Sequence, residues 1–335
     1  MSSLLSQTGI LPWVELPYAD ELAHKHSRVE AALRHGRIAA PVAPVVASPL
    51  RTGARARISL HRGPGRRLGF FRPGTHDFVD PIADGSLSLL ARPELVAAAE
   101  GLVGRPDLPE SLELRSDGSR VVLVADCRLP AGAWGVEAAS GRDQNHGNIH
   151  LFIDNLRVSP RSFYQVNLEV NRLVVAAVQA ELRDSGAERL LDLYAGIGNL
   201  SVPAIRGGLP AVLVEEDRSS LGDARYNTDR RAGVQGAAEV VRLDLRRYEA
   251  GRWPFDVAVL DPPRSGATGL LPKLALTRPR TVIYLSCDPI TLARDVATLL
   301  PAGYRIQKVQ PFDMFPGADH IETLMVLRRG DLAPD

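Results

Sequence analysis

Apolar positions along the chain follow three different rhythms. From residue 162 onward, short apolar runs at 189–193, 211–214, 239–243, 257–260 and 282–285 alternate with helical stretches. Runs without polar alternation predict strands of a parallel sheet buried on both faces by helices. Two further runs, 305–309 and 322–327, have no obvious helix between them and predict a closing antiparallel hairpin. Between residues 52 and 157 the pattern is mostly of strand type. Runs at 54–61 and 67–72 flank the turn residues Gly63-Pro64-Gly65, others lie at 121–125 and 150–153, and a helical piece spans 93–103. Residues 14–36 read as a helix with Leu16, Leu22, Ala23, Val29, Ala32 and Leu33 on one face, and the Pro-rich stretch 39–49 reads as a linker. The expected division is therefore 1–50 helical segment and linker, 51–157 small α+β domain, and 158–335 α/β domain.

Composition changes this picture little. The chain has 335 residues, 45% hydrophobic and 24% charged, which suits a soluble protein with a sizeable core. A net charge of +1 announces no nucleic-acid partner, so local charge must carry any such argument. Only Cys127 and Cys287 are available as thiols, too few for a disulfide framework or a cluster. Residues 1–20 lack the pattern of a secretion signal, and the charge-free stretch 38–50 is too short to cross a bilayer. A soluble cytoplasmic protein without membrane contact is expected.

In a doubly wound sheet, ligands bind at the carboxyl ends of the strands. Gly196, Glu215, Asp244, Asp261 and Cys287 all fall there. The loop Asp192-Leu193-Tyr194-Ala195-Gly196-Ile197-Gly198-Asn199 has two glycines that let a ligand approach the backbone, whereas a dinucleotide fingerprint would want a third where Ser201 stands. Glu215 ends the second strand, where a carboxylate accepts from ribose hydroxyls. S-adenosylmethionine, with a ribose and no phosphate, fits these residues better than a dinucleotide does. A bare Gly-x-Gly is equally compatible with a structural turn.

Asp261-Pro262-Pro263-Arg264 follows the fourth strand, and its prolines stiffen a loop suited to holding a flat base. Arg264 is placed to meet a phosphate or carbonyl, with a solvated surface charge as the plain alternative. Cys127 reads as a small buried hydrophobe. Cys287 instead ends an apolar strand at the ligand edge and precedes a helix, whose N-terminus stabilises a thiolate. It is the candidate nucleophile.

These segments resemble the RNA uridine-C5 methyltransferases, which make 5-methyluridine in tRNA and 23S rRNA. The resemblance covers roughly residues 55–80 and, more strongly, 160–328. It rests on Ser162-Phe163-Tyr164-Gln165-Val166-Asn167, the loop 191–199, Asp261 to Gly266, Tyr284 to Pro289, Leu292 to Asp295, Phe312 to Pro316, and His320-Ile321-Glu322. It implies a Rossmann-like class I methyltransferase domain, with a doubly wound, mostly parallel seven-stranded sheet, preceded by a small α+β RNA-binding domain. By the same resemblance Gln165, Tyr194, Glu215 and Asp261 contact S-adenosylmethionine and Asp244 lies towards its adenine. Cys287 matches the nucleophile that adds to uracil C6, and Glu322 the base that removes the C5 proton. A carboxylate in a partly apolar loop beside Phe315 would have the raised pKa that suits this step; without the resemblance Glu322 reads as a surface charge and His320 as structural.

Three departures from the family bear on the reading. Asp288 stands where Asn is usual and adds a charge expected to raise the thiol pKa. No cysteine precedes Cys127, so no iron–sulfur cluster is expected. No stretch before residue 37 reads as strands, so the β-barrel module of some members is not expected either. For RNA, Arg51, Arg55, Arg57, Arg62, Arg66, Arg67 and Arg72 lie within 22 acid-free residues that also hold Phe70 and Phe71. Arg55, Arg57, Arg66, Arg67 and Phe70, with Arg264, are the expected RNA contacts. The alternative is a solvated hairpin face over core phenylalanines. Monomer is the default state. Two other functions fit the α/β pattern: methylation of an exocyclic adenine or guanine nitrogen, which needs no thiol, and a non-catalytic RNA-binding or folding factor.

Overall fold

A computed structural model describes residues 3–127, 129, 134–140, 149–229 and 235–330 of the protein. The chain opens with α1 (Leu4–Gln7) and α2 (Tyr18–His35). The small domain then runs through β1 (Arg57–Arg62), β2 (Leu68–Phe71), β3 (Phe78–Val79), α3 (Leu87–Leu90), α4 (Pro93–Leu102), β4 (Ser111–Ser116), β5 (Val121–Ala125) and β6 (Glu137–Ser140). A hairpin of β7 (Leu151–Ile153) and β8 (Leu156–Val158) leads into α5 (Leu168–Asp184). The remainder is β9 (Leu190–Leu193), α6 (Val202–Arg206), β10 (Ala211–Glu215), α7 (Arg218–Asn227), β11 (Ala238–Arg242), β12 (Val257–Leu260), α8 (Leu271–Thr277), β13 (Thr281–Ser286), α9 (Pro289–Val296), β14 (Tyr304–Phe312) and β15 (Glu322–Arg329).

The second half forms a seven-stranded sheet in the order β11-β10-β9-β12-β13-β15-β14. The first five of these are parallel, and β15 is antiparallel to both β13 and β14. Order reverses between β9 and β12, which makes that crevice the topological switch point. β9, β12 and β13 are buried at every residue because both faces are covered. Leu191, Ala258 and Tyr284 face the side of α8 and α9, and Leu190, Val259 and Ile283 face the side of α5, α6 and α7. The doubly wound class and the closing hairpin expected from the apolar runs are thus observed.

A six-stranded sheet, β3-β2-β1-β4-β5-β6, makes up the small domain. One face packs on α3 and α4 through Leu60, Leu112, Leu114, Leu95 and Leu102. The other shares a core with the α/β domain, where Ala56 and Val122 meet Tyr164, Leu168 and Ile197. This shared core seats the small sheet beside the carboxyl edge of the large one.

Three expectations for the N-terminal region are corrected. The helix begins at Tyr18, after Pro17, and its buried face is Glu21, Lys25, Val29, Ala32 and Leu33, with Ala23 exposed. Lys25 Nζ donates to Glu21 Oε1 at 2.7 Å, Asp313 Oδ1 at 2.5 Å and the Phe315 carbonyl at 3.0 Å. A buried ion triad therefore takes the place of two apolar positions and pins α2 to residues 313–317; Gly317 N–H also donates to Glu21 Oε1. The 39–49 stretch is no free linker. Ala43 and Val46 donate to the carbonyls of Val309 and Pro311, and Asp313 N–H returns a bond to Val46. The open edge of β14 offers those groups, and the prolines at 41 and 44 leave the needed N–H groups at 43 and 46 free.

Replacing Lys25 by Met removes the cation that bridges two buried carboxylates. The expected loss is about 3–5 kcal/mol of unfolding free energy. Urea denaturation measures it, and a loss below about 1 kcal/mol would show that the triad does not carry the attachment of α2.

Candidate active site

Each strand of the switch-point region ends in a residue that faces one cavity of about 640 Å³. β9 delivers Asp192 and runs into a tight turn. Tyr194 (φ 60°), Gly196 (φ 56°) and Gly198 (φ 85°) all adopt left-handed backbone there. At Gly198 a Cβ would come within 2.6 Å of Val202 Cγ2, so a side chain would push the turn off α6. Tyr194 holds that conformation without being glycine, a strain typical of functional turns.

The turn is tied to the end of β10. Gly196 N–H donates to Glu215 Oε2 at 2.8 Å, and Glu216 and Asp217 N–H groups donate to Oε1 at 2.8 and 2.7 Å. Three backbone donors thus fix Glu215 with lone-pair capacity to spare for a hydroxyl. Behind the turn, Asn199 and Asn171 exchange amide bonds, and Asn171 Nδ2 also donates to Tyr164 Oη at 2.9 Å. This network orients the segment that presents Gln165, whose Nε2 stands 3.5 Å from Asp261 Oδ2.

Negative charge is concentrated in the cavity. Burial, then the nearby Asp261 and Glu215, push Asp192 up to about 7, and burial pushes Asp261 up to about 7. Glu322, at the first position of β15, is raised well above the ordinary carboxylate range by burial and by Asp261. Asp192 Oδ2 and Glu322 Oε1 have no hydrogen-bond partner among the described residues. Buried carboxylates with open acceptor sites fit a cation. S-adenosylmethionine carries a sulfonium and an ammonium group, and the cavity residues therefore suit it. Among the described residues no set of His, Cys, Asp and Glu is arranged to hold a metal ion.

Cys287 follows β13 and lines the same cavity as Glu322, Asp261 and Arg264. Its thiol is pushed up to about 11 by burial, then by Glu322 and Asp261, against the opposing pull of Arg264. The expected lowering by the α9 N-terminus is therefore overruled: desolvation and two carboxylates outweigh it. Asp288 is not the cause, since its Oδ1 caps α9 by accepting from the N–H groups of Ile290 and Thr291 at 2.8 and 3.0 Å. The surface-charge alternative for Glu322 also falls, since only 2% of the residue is exposed.

The segment Leu292 to Asp295 acquires a structural part. Asp295 is fully buried and accepts from Ala267 N–H (2.6 Å), Tyr284 Oη (2.7 Å) and Thr268 Oγ1 (3.0 Å). It thereby clamps the loop that follows Asp261-Pro262-Pro263. Gly266 (φ 77°) is required in that loop, because a Cβ would lie 2.3 Å from Asp295 Oδ2.

The remaining expected residues divide. Gln165, Tyr194, Gly196, Glu215, Asp261, Arg57 and Arg264 line the cavity. Asp244 does not: Leu243 and Leu245 line it, while the Asp244 carboxylate accepts from Arg246 Nε at 2.9 and 3.0 Å. Arg55 places its guanidinium 5.9 Å from the Phe315 ring, and burial followed by the Arg57 charge lowers it to about 10. Arg66 and Arg67 are exposed at the β1–β2 turn, and Arg67 approaches Asp80 at 3.7 Å. Arg51 is a structural residue that donates to the Leu16 and Trp13 carbonyls. Phe70 is partly buried and packs on the small-domain core, whereas strand alternation leaves Phe71 exposed. Cys127 is exposed, not buried. Sequence reasoning passed over Phe163, which lines the cavity mouth at 53% exposure with the Arg57 guanidinium 5.1 Å from its ring. Its place two residues before Gln165 was the available signal.

A mostly parallel switch-point sheet and a glycine turn with a carboxylate at the next strand end are those of a class I methyltransferase. Comparison with known proteins narrows this further. The family model described as tRNA (Uracil-5-)-methyltransferase matches residues 231–330. A 23S rRNA (uracil(1939)-C(5))-methyltransferase RlmD of Klebsiella pneumoniae subsp. pneumoniae is 38% identical over 319 residues, 85% of this chain and 72% of the relative. Its counterpart in Cronobacter sakazakii is 32% identical over 309 residues, 82% and 70%. The solved Pyrococcus abyssi tRNA (uracil-54, C5)-methyltransferase, in complex with S-adenosyl-L-homocysteine, has the same fold, with a TM-score of 0.70 and 23% identity over 93% of this chain and 84% of that one. The chain belongs to the family of S-adenosylmethionine-dependent RNA uracil-C5 methyltransferases. Methylation of an exocyclic nitrogen is thereby set aside.

The thiol's neighbours make a pH prediction. In RNA-free protein, alkylation of Cys287 by iodoacetamide, followed by peptide mass spectrometry, should speed up about tenfold per pH unit towards pH 11. Glu322→Gln removes a negative neighbour, so ionisation moves to lower pH and alkylation at pH 8 accelerates; Arg264→Ala slows it. A pH-independent rate, or no response to Glu322→Gln, would contradict the assigned electrostatics.

Proposed function

We propose that the protein methylates C5 of a uridine in 23S ribosomal RNA, with Cys287 as nucleophile and Glu322 as base. The observation that carries the reading is that thiol and base line one cavity, with Asp261 coupled electrostatically to both. The named relatives that support a ribosomal target are 23S rRNA enzymes.

Gln165, Tyr194, Gly196, Glu215 and Asp261 would hold S-adenosylmethionine. That molecule supplies an electrophilic methyl group. Uracil C5 is a poor nucleophile until Cys287, its thiol proton given up to solvent, bonds through Sγ to C6, which moves the electron pair of the C5–C6 double bond towards C5 and O4. Arg264 supplies positive charge beside the thiol and stabilises the sulfur anion during this addition. Once C5 is methylated, Glu322 removes the C5 proton, the Sγ–C6 bond breaks, and the thiol is restored. A raised carboxylate pKa makes Glu322 a stronger base than a solvated one. Phe163 and Arg57 at the mouth would stack on and steady an extruded uridine, with Arg55 and Arg264 meeting its polar groups. Arg66 and Arg67 on the β1–β2 turn would grip phosphates further out. The enzyme would act as a monomer in the cytoplasm. No helix among the described residues is long and apolar enough to cross a membrane.

Methyl transfer from labelled S-adenosylmethionine to total unmodified RNA tests the target. Label is expected as 5-methyluridine in the 23S band; label in tRNA would redirect the target, and label in another nucleoside would overturn the reaction. Cys287→Ala should abolish transfer, a loss of at least about a thousandfold, while calorimetry still detects cofactor binding. Normal turnover by this variant would end the thiol mechanism.

A further inference from the structure

Outside the catalytic cavity, two aromatic side chains stand open beside a polar groove. Phe152 in β7 is 50% exposed and Tyr226 in α7 is 47% exposed. Their rings meet at 61° with centroids 6.4 Å apart. Arg157, the cross-strand partner of Phe152, lays its guanidinium 4.3 Å from the centre of the Tyr226 ring. The two half-exposed rings adjoin, so they offer one contiguous aromatic face to solvent.

The unit is rigid. Asp223 is fully buried, and its Oδ1 accepts from Arg157 Nε and Ser159 Oγ, both at 2.7 Å. Its Oδ2 accepts from Ser159 N–H at 2.7 Å and Ser162 Oγ at 2.6 Å. Arg157 also donates to the Gly222 carbonyl at 2.9 Å. Ser162 directly precedes Phe163, the ring at the cavity mouth. One buried carboxylate therefore fastens the outer aromatic pair and the inner ring to a single scaffold. Arg157, Ser159 and Arg161 also line a groove of about 1360 Å³, and Arg161, Glu215, Glu216 and Asp217 line both this groove and the cavity. Acidic side chains stand among its arginines, so charge alone would hold a phosphate chain poorly there. Aromatic faces, which attract any base through stacking, supply what charge does not.

We propose that Phe152 and Tyr226, held by Arg157, form a second stacking site that takes an unpaired base of the substrate RNA, further along the strand from the uridine in the cavity. This rests on the RNA methyltransferase reading and adds to it that the RNA is gripped as a single strand at two points. A base inside a duplex has both faces covered by its stacked neighbours, so the site favours an unpaired, unstacked segment around the target.

The test compares the wild-type enzyme with Phe152→Ala/Tyr226→Ala and with Tyr226→Phe, on whichever RNA the wild-type enzyme methylates. The double variant should raise KM for that RNA about tenfold to a hundredfold. Its kcat and its affinity for S-adenosylmethionine should stay unchanged, and Tyr226→Phe should match wild type. A KM equal to wild type would overturn the proposal. So would a loss of cofactor affinity in parallel with KM, which would show general damage instead of a lost contact. If the wild-type enzyme methylates no RNA, the failure lies in the functional reading, and the stacking site falls with it.

Discussion

Burying negative charge at the carboxyl edge of a parallel sheet is the constraint around which this protein is arranged. β9, β12 and β13 are covered on both faces, so only their ends can carry polar chemistry. Asp192, Asp261 and Glu322 gather there, each pushed towards its neutral form by loss of water, and Asp192 and Glu322 also by the charge of Asp261. Such a cluster is unfavourable until something positive enters. A sulfonium cofactor would relieve it, and the same field holds the Cys287 thiol towards its protonated form. Binding and reactivity thus draw on one electrostatic source.

The rest of the molecule holds that edge in place. Asp295 clamps the loop after Asp261-Pro262-Pro263. The Glu21–Lys25–Asp313 triad fixes the segment that carries Phe315 and leads to Glu322. The small sheet, joined through Ala56, Val122, Tyr164 and Ile197, brings Arg57 over the cavity. Each link joins residues far apart in sequence, as for Lys25 and Asp313, separated by 288 positions.

That separation explains what the sequence hid. Parallel strands were legible because burial on both faces leaves unbroken apolar runs, and the polar residue after each run marks the ligand edge. Glu215, Asp261 and Cys287 stand after such runs and line the cavity. The apolar rhythm of the helix passes over Lys25, whose partner Asp313 is supplied by another part of the chain. Residues 43–46 looked like linker because their pairing depends on the edge of β14. Phe70 and Phe71 are adjacent, and only the sheet decides which of them faces the core. At Cys287 the local helix N-terminus was visible, while the two opposing carboxylates arrive from β12 and β15. Local geometry alone gave the wrong sign.

The central claim is that Cys287 and Glu322 act in sequence on one uracil within this cavity. Its most direct test is the Glu322→Gln enzyme incubated with S-adenosylmethionine and unmethylated RNA, denatured, digested and examined by mass spectrometry. The account predicts an adduct that survives denaturation, with a methylated uracil linked through C6 to Cys287. Free 5-methyluridine forming at the wild-type rate, or an adduct on any other residue, would contradict it.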